Sequence, residues 1–110
     1  MAVIRFNFEG KNYVLGFNRK TVKQMENEGF NFDDMGIKPL TCVSDLFAGA
    51  FKMNHRFEKR EVIERIHANI RDKDKITEKL VQMYSDTIKS LMADDDSEEN
   101  ENLIDWSMDE

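Results

Sequence analysis

Imidazole and thiol are the side chains best suited to hold a metal or to attack carbon, and this chain offers three of them: His55, His67 and Cys42. A metal centre needs three or four converging donors. The two histidines fall on different expected elements, with no cysteine or carboxylate beside them at ligand spacing. The spacing therefore predicts no bound metal. Cys42 falls near the start of an expected helix, where a thiol can be acidified, but no base is linked to it, and a lone cysteine reads as a small buried residue. A single cysteine also leaves no intramolecular disulfide to form, which suits a reducing compartment.

Asp94, Asp96 and Glu98 imitate the first ligands of a calcium loop, yet Glu99 stands where such a loop requires glycine. The chain carries no glycine-rich phosphate loop, no G-x-S-x-G elbow and no H-E-x-x-H. None of the expected helices has an acid on its apolar stripe. The chemistry-bearing residues thus predict neither a catalytic centre nor a cofactor: the chain reads as a binding module, not an enzyme.

The elements that would position a binding face follow from periodicity. Ile4, Phe6 and Phe8 alternate with polar residues, and Tyr13, Leu15 and Phe17 repeat the pattern around Gly10-Lys11-Asn12. Period two with one greasy face predicts a β-hairpin over residues 2–18, to be covered by helices. Asn18 is suited to cap a first helix through Val22 and Met25, with Gly29 and Phe30 as its Schellman ending. Residues 31–39 read as a loop anchored by Phe32, Met35 or Ile37. Val43, Leu46, Phe47, Ala50 and Phe51 follow the i, i+3, i+4, i+7, i+8 stripe of a second helix over 41–54. A third stripe runs through Val62, Ile63, Ile66 and Ile70, with Glu61 and Arg65 spaced for an i, i+4 pair. Asp74 is placed to cap a fourth, through Ile76, Leu80, Met83, Tyr84, Ile88 and Leu91. A hairpin followed by about four helices, without parallel βαβ units, predicts an α+β fold.

Composition changes after Met92. Residues 93–110 hold nine of the 22 acids and none of the 16 bases, leaving 13 acids against 16 bases in residues 1–92. The net charge of −6 thus divides into a mildly basic body, expected to fold by itself over 1–92, and an acidic tail over 93–110. The tail cannot bury enough apolar surface to offset its ordering entropy and is expected to be disordered. It contains one hydrophobic island, Leu103, Ile104, Trp106 and Met108. Two basic clusters, Arg19-Lys20 with Lys23 and Lys52 with Arg56, Lys59 and Arg60, could contact phosphates, but acids interleave with them and the chain lacks the strongly basic balance of a nucleic-acid footprint. No apolar run approaches the ~20 residues that cross a bilayer, nor does the start look like a signal peptide.

Methionine is abundant, at seven residues. Met25 and Met83 fit core positions. Met53 and Met92, with the edges of the Phe47 and Phe51 stripe, instead suggest an adaptable apolar surface of the kind that accommodates several helical partners. Partner binding is therefore expected at Phe47, Phe51, Met53 and Met92, and at the tail island Leu103, Ile104, Trp106 and Met108.

The stretch Phe17-Asn-Arg-Lys-Thr-Val-Lys-Gln-Met-Glu-Asn-Glu-Gly-Phe30, then Pro39 and Leu46-Phe-Ala-Gly-Ala-Phe-Lys-Met-Asn-His55, resembles small tail assembly chaperones of long-tailed bacteriophages. The likeness extends to the N-terminal hairpin and to the acidic tail with its late Trp. It implies a protein of the host bacterial cytoplasm, absent from the mature virion, that coats the hydrophobic tape-measure protein until tail tube subunits polymerise around it. A homo-oligomer is a further expectation. A second reading is a nucleic-acid-binding regulator whose acidic tail competes with phosphate for the basic clusters.

Overall fold

The alternating N-terminal residues form two antiparallel strands, β1 (Ile4–Phe8) and β2 (Lys11–Leu15), paired from Ile4 with Leu15 to Phe8 with Lys11. In this computed structural model residues 2–91 are described, together with Ser107 and Met108. The rest of the acidic tail, including Leu103, Ile104 and Trp106, and also Met92, lies outside the described residues. The hairpin turn is tighter than its sequence suggested. Glu9 and Gly10 alone make it, with φ of 50° and 81°, the two positive values of a type I′ turn. Lys11 and Asn12 are strand residues, held in register because Asn7 Nδ2 donates to Asn12 Oδ1 at 2.9 Å.

Helix α1 (Arg19–Asn27) starts and stops where local chemistry dictates. The Thr21 N–H donates to Asn18 Oδ1 at 2.8 Å, and the Asn18 N–H donates to Thr21 Oγ1 at 2.9 Å. This reciprocal box satisfies donors that the first turn would otherwise leave orphaned. At the other end the Phe30 N–H reaches Met25 O and the Gly29 N–H reaches Glu26 O, both bonds of the Schellman motif, with Gly29 at φ 99°.

The segment expected as a loop holds a 3-10 helix, Phe32–Gly36, capped by the Asn31 side chain on the Asp33 N–H. The helix expected over 41–54 is two helices, α2 (Pro39–Gly49) and α3 (Lys52–His55). Its start is earlier because Pro39 occupies the first helical position, where its fixed φ fits and its missing N–H costs nothing. Its interruption also has a cause. The Ala50 carbonyl accepts from the Gly16 N–H at 3.1 Å, while the Phe51 N–H bonds Ala48 O in a tightened turn. Tying the helix to the end of β2 thus takes a carbonyl out of the helical ladder.

Helix α4 (Arg60–Asn69) buries Ile63 and Ile66. The expected Glu61–Arg65 pair gives way to Arg60–Glu64 along the helix and to Arg65–Glu9 across to the hairpin turn, at 2.9 and 3.0 Å. Helix α5 (Lys73–Leu91) begins one residue before Asp74, so Asp74 is not the cap. It sits in the first turn, where its charge complements the helix dipole. Leu80, Met83 and Tyr84 of α5 are buried, whereas Ile88, expected on the same stripe, is exposed.

The architecture is α+β: one hairpin face and five α-helices close on Leu15, Phe17, Val22, Leu46, Phe47, Phe51, Ile66 and Leu80, all essentially inaccessible to water. Each such side chain contributes about 1.5–3 kcal/mol relative to leaving it exposed. Among the described residues no helix is long and apolar enough to cross a membrane.

Candidate binding surfaces

Helix α5 packs inward through Leu80, Met83 and Tyr84, and one step around its circumference stand Thr77, Val81 and Ser85 at i, i+4 spacing. That second face meets Phe32 and Met35 of the 3-10 helix, and the two enclose an open groove of about 590 Å³. Phe32 is fixed from beneath: its ring lies 5.6 Å from Tyr84 and 6.3 Å from Phe30. Glu78, Asp86 and Lys89 charge the rim. An apolar floor of Phe32, Met35 and Val81, with mixed charges at its border, suits the apolar face of an amphipathic helix. Ile37 and Leu40, which follow the 3-10 helix in the chain, are largely bare, Leu40 at 88% exposure.

The residues expected to dock partners are distributed otherwise. Phe47 and Phe51, each 1% exposed, are core residues with no surface to offer. The expectation that their stripe forms a docking face is corrected on that ground, because the hairpin covers it: Phe51 touches Phe6 and Tyr13 edge-on, at centroid distances of 6.4 and 5.6 Å. Met53 is half-buried, its methyl pressed against Gly16 so that a Cβ there would stand 2.7 Å away. Met108 is exposed. Met92, Leu103, Ile104 and Trp106 lie outside the described residues. Sequence reasoning missed the groove, although it singled out Phe32 and Met35 as loop anchors. Val81 carried no signal because it sits off the inward stripe.

A polar cluster lies at the seam between β2 and α3. The Val14 N–H donates to His55 Nε2 at 3.0 Å, and Asn54 Nδ2 donates to the Val14 carbonyl at 3.2 Å. Two side chains of a four-residue helix thus stand in for a third strand. Beside them Lys11 Nζ and the Tyr13 hydroxyl both donate to Glu58, at 2.9 and 3.1 Å. An acceptor at Nε2 requires the neutral imidazole with its proton on Nδ1. Burial, and then the Lys11 charge, hold the His55 pKa below its usual 6.5, with Glu58 opposing. The His67 pKa is likewise pushed down, by burial first.

Both shifts favour the neutral form in the fold, so the unfolded chain takes up protons first. The stability they contribute is complete above about pH 6.5 and drains away as pH falls from there through the depressed folded values. Urea unfolding between about pH 7.5 and 5 should therefore show a declining free energy. His55→Gln, which keeps an acceptor for Val14 but does not titrate, should decline less steeply. An unchanged slope in that variant would exclude His55 as a contributor.

Cys42 is buried, and its thiol is pushed up by burial and by Asp34 and Asp45, the opposite of an activated nucleophile. Among the described residues no group of three or more His, Cys, Asp or Glu converges as a metal site would require. The basic clusters are partly consumed internally. Arg60 bonds Asp45, Glu64 and Ser44, Lys52 pairs with Glu28 at 3.1 Å, and Arg19 donates to the Ser90 carbonyl at 2.8 Å.

The family described as Domain of unknown function (DUF5055) matches residues 1–108. The chain belongs to the DUF5055 family. No curated protein and no solved structure matches it. In this DUF5055 protein the groove beside α5 is an apolar open surface, and a second open surface, of about 680 Å³, is lined by Met53, Phe57 and Val62 beside the His55 cluster, with Phe57 at 88% exposure. The His55 cluster, whose bonds tie α3 to the Val14 backbone and Glu58 to Lys11 and Tyr13, reads as a structural seam.

Proposed function

We propose that this DUF5055 protein is a phage tail assembly chaperone that binds the tape-measure protein and keeps it soluble while the tail is built. In this reading it is a binding protein and not an enzyme, acts in the host bacterial cytoplasm, hands its client to tail tube subunits and stays out of the mature virion. The observation that carries the reading is the open apolar groove between the 3-10 helix and α5. A holdase needs such a site, because a long helical client must be gripped by its apolar stripe wherever that stripe recurs. Met35 at its wall supplies the adaptable packing that tolerates different apolar side chains. The motifs shared with tail assembly chaperones support the same reading. The regulator alternative loses ground because Arg60 and Lys52 are spent on Asp45, Glu64 and Glu28.

The test is capture of fluorescent segments of a tape-measure protein by the wild type and by Met35→Glu. Placing a charge in the groove wall should weaken binding about tenfold or more, which is ~1.4 kcal/mol or more, with the thermal midpoint held. Unchanged capture in both Met35→Glu and Val81→Asn would remove the groove from the reading. Binding to DNA that weakens steeply with salt, in the absence of tape-measure binding, would replace the reading by the regulator.

A further inference from the structure

The two edges of the hairpin are treated differently. The β2 edge is closed at its Val14–Gly16 end: Val14 spends its N–H on His55 and its carbonyl on Asn54, and the Gly16 N–H goes to Ala50. Because Val14 turns those groups outward, its partner Arg5 belongs to a non-hydrogen-bonded pair, and in an antiparallel ladder such pairs alternate. The N–H and C=O of Arg5, and by alternation those of Asn7, therefore point away from β2. Among the described residues nothing pairs with them, since the sheet ends at β1. Arg5 and Asn7 are exposed, while Ile4, Phe6 and Phe8 on the core face are only half covered.

We propose that this open edge of β1 is where a second copy of the chain binds, the two β1 strands pairing antiparallel to make one four-stranded sheet. Parity supports a copy as the occupant. Outward backbone groups lie on odd residues and apolar side chains on even ones, so any register that bonds the two edges also sets Ile4, Phe6 and Phe8 of both copies on the same face. Charge selects among registers. Centring the two-fold axis on Arg5 would oppose two guanidinium groups, which is destabilising. Centring it on Phe6 sets Arg5 opposite Asn7 of the other copy, with that copy's Glu9 and Arg5 on its two diagonals, so that no like charges stand directly opposite. This register closes all four open backbone groups of each strand and places Phe6 against Phe6 and Ile4 against Phe8. A five-residue strand gives far less contact than the ~20–30 residues a side of a standard interface. The dimer is accordingly reversible, populated at ~100 μM and dissociated by ~1 μM. It does not depend on what the groove holds.

Sedimentation velocity of the full chain across that range should show a monomer giving way to a dimer. Isotope-filtered NMR on a mixed-label sample should show contacts between Ile4 and Phe8. Within one strand these two are ~14 Å apart, so such a contact arises only between copies. Arg5→Pro removes an outward N–H without touching the β1–β2 ladder, and should weaken the dimer at least tenfold at an unchanged unfolding midpoint. Should that variant lose its fold, Arg5→Glu decides instead, since at an exposed position it sets like charges beside Glu9 of the other copy and should weaken association similarly. A chain that stays monomeric throughout overturns the proposal. So does a dimer indifferent to the Arg5 substitutions, or one without the Ile4–Phe8 contact.

Discussion

Phe51→Asp should abolish cooperative folding, and Phe47→Ala should cost about 3–5 kcal/mol. The Phe51 ring contacts Phe6, Tyr13, Phe47 and His55, at centroid distances between 5.3 and 6.4 Å. It joins the hairpin to α2 and α3, so an uncompensated carboxylate there would have to be desolvated among aromatic rings. Natural domains hold only about 5–15 kcal/mol in total, and losing the central ring while burying a charge removes a large share of that. Phe47 has the same burial and lies 4.7 Å from His67 of α4, so its truncation opens a cavity between helices that rigid neighbours cannot refill. Urea denaturation followed by circular dichroism reads both variants. A cooperative Phe51→Asp transition near the wild-type midpoint would mean that this ring faces solvent and would restore it as a docking residue.

What the sequence disclosed and what it hid follow one division. Signals carried by neighbouring residues were legible: the alternation of Ile4, Phe6 and Phe8, the Asn18 cap, the Gly29–Phe30 ending and the Leu80, Met83 and Tyr84 part of the α5 stripe. Features set by long-range contacts were not. The break after Gly49 arises because Ala50 is tied to Gly16 some thirty positions earlier in the chain, and Arg65 turns from Glu61 to Glu9 because folding brings the hairpin turn to α4. Phe47 and Phe51 were assigned two roles because a stripe five positions wide exceeds what one flat neighbour covers; the hairpin lies on Phe51 and α4 on Phe47. The groove was illegible for the complementary reason. It exists only where a 3-10 helix meets a second face of α5, and no periodicity marks such a meeting.

Tyr84→Ala should cost about 3–5 kcal/mol and, unlike loss of Phe47, should also dismantle the groove. Tyr84 is 2% exposed, and its ring lies 5.5 Å from Phe17, 5.3 Å from Phe30 and 5.6 Å from Phe32. It therefore holds α5 against the end of the hairpin on one side and supports the Phe32 wall of the groove on the other. The loss should be one of packing and not of hydrogen bonding. Among the described residues no buried side-chain oxygen or nitrogen lacks a partner, and none of those residues hydrogen-bonds the Tyr84 hydroxyl as Glu58 does that of Tyr13. Tyr84→Phe should accordingly stay within ~0.5 kcal/mol of the wild type. The informative comparison is a third variant, Phe32→Ala, which removes the wall and leaves the Tyr84 contacts with Phe17 and Phe30. If the groove grips the client, Phe32→Ala should lose capture of tape-measure segments with only a partial loss of stability. Tyr84→Ala should lose both, and Tyr84→Phe neither. Capture that persists in Phe32→Ala at wild-type affinity would separate the rings from the binding surface and leave them a purely structural role.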